Sequence, residues 1–228
     1  MKKVVKDLAG HGEAMKPITK RVANLISLFF EPAAKETGHW IGDRIRIARE
    51  RNIETVLLKA KARLESEKVE IKLVPKKLFL PLVEAAALED DDDMIERWAN
   101  LLASAATDNS VLPSYVRLLS ELSPAEARIL DSVPKLIKDV KDLPHQDAIL
   151  STDINDVRNS VPMPEGDFVR VIVSLERLNL LRRDYVNYSL SNSIYDGRQA
   201  GEYLVLTEFG RQFLAVCSPR PRAKRDEE

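Results

Sequence analysis

Apolar residues recur at helical spacing along most of the chain, and the densest such stretch lies between residues 78 and 107. Phe79, Leu82, Val83, Ala86 and Ala87 follow the i, i+3, i+4, i+7, i+8 pattern of one helical face, and Ile95, Trp98, Ala99, Leu102 and Ala106 form a second. Between them stand Glu89, Asp90, Asp91, Asp92 and Asp93. Carboxylates at a helix start are favoured by the helix dipole and accept bonds from its unpaired amides, so these acids predict a hinge and the N terminus of the second helix. Consecutive acids seldom converge on one cation without a glycine-bearing loop, which sets a metal site aside. Pro81 predicts that the first helix starts close to it. The two helices are expected to fold back on each other and form the interior.

The rest of the N-terminal half reads in the same way. Ile18, Val22, Leu25, Ile26, Phe29, Phe30 and Ala33 make a wide apolar stripe that begins beside Lys16, Lys20 and Arg21 and is closed by Pro32. This is a buried helix of a bundle, with a helix lying on an anionic membrane surface as the competing reading of residues 16–33. A second helical segment over 35–66 carries Trp40, Ile41, Ile45, Ala48, Ile53, Val56, Leu57, Ala60 and Leu64, with Gly38 and Gly42 as weak points. Arg44, Arg46, Arg49 and Arg51 crowd its start and suit phosphates, the acidic hinge or solvent equally well. Beyond the hinge, Pro113 opens a short helix with Tyr115, Leu118, Leu119 and Leu122 inward. Ser123-Pro124-Ala125-Glu126 then reads as a capping box that launches a helix carrying Ala127, Ile129 and Leu130, which Pro134 should interrupt.

From Ser123 the order of elements resembles a winged-helix domain. Thr152-Asp153 caps a short helix with Ile154, Val157 and Val161 inward, and Pro162 and Pro164 stop it. The next helix, about 165–178, buries Phe168, Val171, Ile172, Leu175 and Leu178. Residues 185–190 and 202–206 are strand formers around a polar loop, which predicts a two-stranded hairpin, and Thr207 caps a closing helix. The expected fold is therefore mainly α: a helical body over 17–122 and a small winged-helix-like α+β domain over 123–217, with a mobile tail at 1–16 and a disordered one at 218–228.

Charge changes this picture more than composition does. The net charge is -1, yet residues 1–77 carry 18 Lys or Arg against 10 Asp or Glu, residues 78–157 carry 6 against 16, and residues 158–228 carry 11 against 10. A basic third next to an acidic third is expected to pack against it, or else to offer a face to a different partner. One cysteine, Cys217, excludes an internal disulfide, and three scattered histidines give no zinc spacing. The start of the chain lacks the apolar run of a secretory signal, and the uncharged apolar run Val22 to Phe30 is far short of the roughly 20 residues a membrane helix needs. A cytoplasmic protein is expected.

The string Pro81 to Asp91 followed by Trp98-Ala99-Asn100-Leu101-Leu102-Ala103 resembles the bacterial abortive-infection alpha family. The flanking pieces agree: Gly42 to Arg46 upstream, then Pro113 to Val116 and Leu122 to Ala127 downstream. The resemblance covers about residues 17–133, with the C-terminal third outside its strongest part. It implies a part in phage defence and brings no catalytic residues with it.

No glycine-rich phosphate loop, nucleophile elbow or histidine cluster is present, so no catalytic, cofactor-binding or metal-binding residue is expected, nor any small-molecule substrate. The leading expectation is a non-catalytic defence component acting through a protein partner or self-association. A DNA-binding regulator competes with it, using Arg170 and Arg177 on the third helix of the C-terminal module with Arg182 and Arg183 just beyond. A module charge of +1 is thin for duplex binding, and Tyr185, Tyr188 and Tyr195 around the hairpin suit protein contacts.

Overall fold

The computed structural model describes residues 20–30, 47–107, 111–137, 151–186 and 201–218. Nine helices and three strands lie among them. Helix α1 is Lys20–Phe29, α2 Ile47–Glu67, α3 Lys76–Ala86, α4 Asp92–Ala105, α5 Pro113–Glu121 and α6 Pro124–Leu136. There follow β1 Ser151–Asp153, α7 Ile154–Ser160, α8 Glu165–Arg177, β2 Leu181–Val186, β3 Gly201–Leu206 and α9 Glu208–Cys217. The chain is mainly helical with a small antiparallel sheet, as expected. The expected N-terminal tail, the Gly42 to Arg46 segment, Trp40, Ile41, Tyr188, Tyr195 and the tail from 219 onward lie outside the described residues.

The acidic hinge caps α4 as its composition requires. Asp91 is the N-cap, and its carboxylate accepts from the amides of Asp93 and Met94 at 3.0 Å each. Phe79, Leu82, Ile95 and Trp98 are all buried. Their arrangement differs from two rods lying on each other: α3 and α4 do touch, but the largest contact of α4 is with α2, and the next is with α9. The reason is that α4 is buried nearly all round, so one neighbour cannot cover it. Helix α2 also ties down the hinge, where Asn52 donates to the carbonyl of Glu89 at 2.6 Å.

Two prolines sit deeper in helices than expected. Pro81 lies inside α3, which starts at Lys76, and Pro134 lies inside α6, which runs on to Leu136. Both ring positions are exposed, and Lys77, whose carbonyl loses the amide of residue 81, is exposed too. The position lies on the solvent side of α3, and the first turn of the helix keeps its own bonds, Leu78 and Phe79 both donating to the carbonyl of Pro75 at 2.9 Å. Ser123 caps α6 in a full capping box, its hydroxyl accepting from the amide of Glu126 while the Glu126 carboxylate takes the amide of Ser123 at 2.6 Å.

The sheet has three strands in the order β1-β3-β2, all antiparallel, so the expected hairpin gains a third member. Thr152 pairs with Leu204 on one side of β3, and Arg183 pairs with Leu204 on the other. The first hairpin strand begins at Leu181 rather than Tyr185, because α8 ends abruptly. Asn179 adopts φ 57°, and the amide of Leu180 bonds the carbonyl of Leu175 at 3.0 Å while that of Asn179 bonds Glu176 at 2.9 Å. This is a Schellman closure with asparagine at the left-handed position, and it delivers Leu180 and Leu181 straight into the core. One hydrophobic core runs from Val22 on α1 to Cys217 on α9.

Candidate interaction surface

Helix α8 divides its side chains sharply. Phe168, Ile172 and Leu175 are buried, and Arg158 of α7 lies over the Phe168 ring at 5.0 Å. Helix α8 packs on α6 with this face and touches β2. Glu165 and Asp167 stand in its first turn, where the dipole favours them. The opposite face shares Gly166, Val169, Arg170, Val173 and Arg177 at helical spacing. Here Val169 is 46% exposed and Val173 48%, an apolar pair one turn apart on the outside of the molecule. Tyr185 on the neighbouring strand is 69% exposed.

The four arginines picked out for nucleic acid meet different fates. Arg170 is exposed and paired with Asp167 three residues back on the same helix. Arg177 reaches Glu121 of α5 at 3.7 Å. Arg183 is held in a fork by Glu176, with its Nε 2.9 Å from Oε1 and its Nη2 2.8 Å from Oε2, and it meets Glu202 at 3.5 Å. The hydrogen bond it donates to the Glu176 carboxylate pushes the Arg183 pKa up further, so this guanidinium is a fixed cation with its counter-charge supplied. Arg182 is exposed on β2 and forms no ion pair among the described residues. The four therefore do not form a common basic patch. A phosphate backbone would compete with a carboxylate at three of them, whereas the valines need only lose water.

The valine pair carries a signal in the sequence itself. With Phe168, Ile172 and Leu175 assigned inward, valines at 169 and 173 fall on the far side, where a soluble helix ordinarily carries polar residues. On α1 the apolar stripe, expected as a buried bundle helix with a membrane surface as the competing reading, faces inward. Val22, Leu25, Ile26, Phe29 and Phe30 are buried, and Phe30 stacks on Phe79 of α3 with ring centroids 4.9 Å apart. That face is already covered by the protein itself. Among the described residues no helix is long and apolar enough to cross a membrane, and no three His, Cys, Asp or Glu side chains are grouped to hold a metal ion.

These features define a mainly helical protein with a small antiparallel sheet and an exposed apolar pair on α8. The family model for abortive infection alpha matches residues 48–217, three-quarters of the chain, and the chain belongs to that family. Membership brings with it a role in abortive infection, the defence for which the family is named. The match takes in the C-terminal module, which the sequence resemblance left outside its strongest part. No curated protein and no solved structure matches the chain.

Proposed function

We propose that this protein is a non-catalytic component of abortive infection that acts through protein contacts, made by the outward face of α8 and the adjoining strand β2. The observation that carries this reading is the exposed pair Val169 and Val173, flanked by Arg170 and Arg177 whose charges are answered by Asp167 and Glu121. Apolar side chains bordered by polar ones suit the centre and rim of a protein interface. The test is a phage challenge of cells carrying Val169→Glu with Val173→Glu. Glutamate is a good helix former and both sites are exposed, so folding stability should move by no more than about 0.5 kcal/mol. Plaque counts are expected to rise to those of cells lacking the protein while the variant keeps the wild-type melting temperature. A stable variant that still protects would end the proposal.

The order of elements from α6 to β3, helix, strand, helix, helix, strand, strand, is that of a winged helix, and Arg182 is exposed, so duplex DNA is the second reading. It requires that the whole chain raise the fluorescence anisotropy of a labelled duplex at low salt. The rise should shrink when Arg170, Arg177, Arg182 and Arg183 are changed to alanine. No change with the wild-type chain removes this reading.

A further inference from the structure

A cleft of about 520 Å³ opens between α4 and α6, and Ser160 and Val161 at the end of α7 join its lining. Its size lies within the roughly 300–1,000 Å³ of small-ligand sites. Six charged side chains decide its chemistry: Arg97, Arg128 and Lys135 against Asp93, Glu96 and Asp131. Two of the acids are spent. Asp131 takes the Nη2 of Arg97, which also donates to the carbonyl of Ala127 at 3.2 Å, and Glu96 takes Lys59 of α2 at 2.5 Å. Arg128 and Lys135, two turns apart on one face of α6, form no ion pair among the described residues. At the cleft wall Arg97 is only 5% exposed, and its Nη1 is buried with no acceptor. Buried guanidinium nitrogens are ordinarily satisfied, so this orphan asks for an oxygen that the protein does not supply.

We propose that this cleft binds a small oxyanion, the carboxylate or phosphate group of a small molecule. Arg128 and Lys135 meet it from α6, and Arg97, whose Nη1 is closed off in this structure, meets it from α4 once its side chain turns toward the cleft. The excess of uncommitted positive charge favours an anion over a cation. Arg97 and Asp131 already form one guanidinium-carboxylate pair here, and a second oxyanion completes the arginine fork. The site is separate from the α8 face and does not depend on the reading given above for it.

The test uses the full chain and two probes, inorganic phosphate followed by phosphorus NMR line width and acetate followed by saturation-transfer difference. Sodium chloride at equal ionic strength is the control. Saturable binding of either probe is expected, and the probe that binds more tightly names the source of the oxyanion. Arg128→Ala with Lys135→Ala, both at exposed positions, should raise the dissociation constant at least about tenfold, the loss of a charge-assisted hydrogen bond. Lys135→Ala alone serves if the double variant does not fold. Absence of saturable binding by both probes, or equal binding by folded variant and wild type, overturns the proposal.

Discussion

Gly210 stands where two stretches of backbone come closest. A Cβ added there would lie 2.2 Å from the carbonyl oxygen of Leu180, and that oxygen also accepts the amide of Thr207 at 3.1 Å. Thr207 completes the joint by accepting from the amide of Gly210 at 2.9 Å and donating its hydroxyl to the carbonyl of Asn179 at 2.6 Å. Nothing in this contact can yield except main chain. Gly210→Ala is therefore expected to lower stability by about 1–3 kcal/mol in urea unfolding, even though a helix prefers alanine to glycine by about 1 kcal/mol. A neutral or stabilising result would mean that α9 is not seated on the exit of α8. The same region responds to alkali. Burial, and then the nearby Cys217, raise the pKa of Tyr115 above its ordinary 10.0, and burial raises that of Cys217 above its ordinary 9.0. The folded state thus keeps these protons after the unfolded chain has released them, so stability is full below pH 9 and falls as pH rises past each ordinary value. The melting temperature of Tyr115→Phe should gain on the wild type between about pH 8 and about pH 10.5. A constant difference across that range would contradict it.

At the scale of elements, α4 shows what a periodic pattern can and cannot tell. Its apolar face, with Ile95, Trp98, Ala99 and Leu102, was legible and is buried. Arg97, Asn100 and Ser104 lie off that stripe and are buried too, because carbonyls arrive from elsewhere to meet them. Asn100 takes the guanidinium of Arg63 on its oxygen and donates to the carbonyl of Cys217 at 3.1 Å, and the hydroxyl of Ser104 donates to the carbonyl of Val216 at 3.0 Å. These two side chains satisfy the last turn of α9, whose carbonyls have no partner within their own helix. No local signal announces such a bond, since its two ends lie far apart in sequence. Strand β1 is silent in the sequence for a similar reason: Ser-Thr-Asp has no strand character, and it is extended because β3 offers it an edge. Capping boxes and N-caps, by contrast, are complete within four residues, and they stood where the sequence put them at Asp91, Ser123, Asp153 and Thr207. Asn100→Ala should cost about 1–3 kcal/mol by leaving the Cys217 carbonyl and Arg63 unpaired. Hydrogen exchange is the decisive measurement, because the amides of α9 should lose protection before those of α2 and α3. Uniform loss across all three helices would count against the latch.

Over the whole molecule, the basic first third and the acidic middle third meet along α2 and α4. That pair has the largest helix–helix contact among the described residues, and Lys59 bridges to Glu96 across it. The uneven charge along the sequence thus closes partly on itself inside one chain. The candidate contact face was less legible. Arginine is conspicuous in a sequence, but whether a carboxylate already answers it depends on folding, as with Arg177 and Glu121 on separate helices.

The seating of α9 also bears on how the protein is made. Asn100 finds its acceptor 117 residues further along the chain. During synthesis α4 must therefore leave the ribosome with Asn100 and Ser104 still wet, and its central groove stays open until the last described helix has been translated. A chain interrupted before that helix would present this groove to whatever chaperone or protease reaches it first.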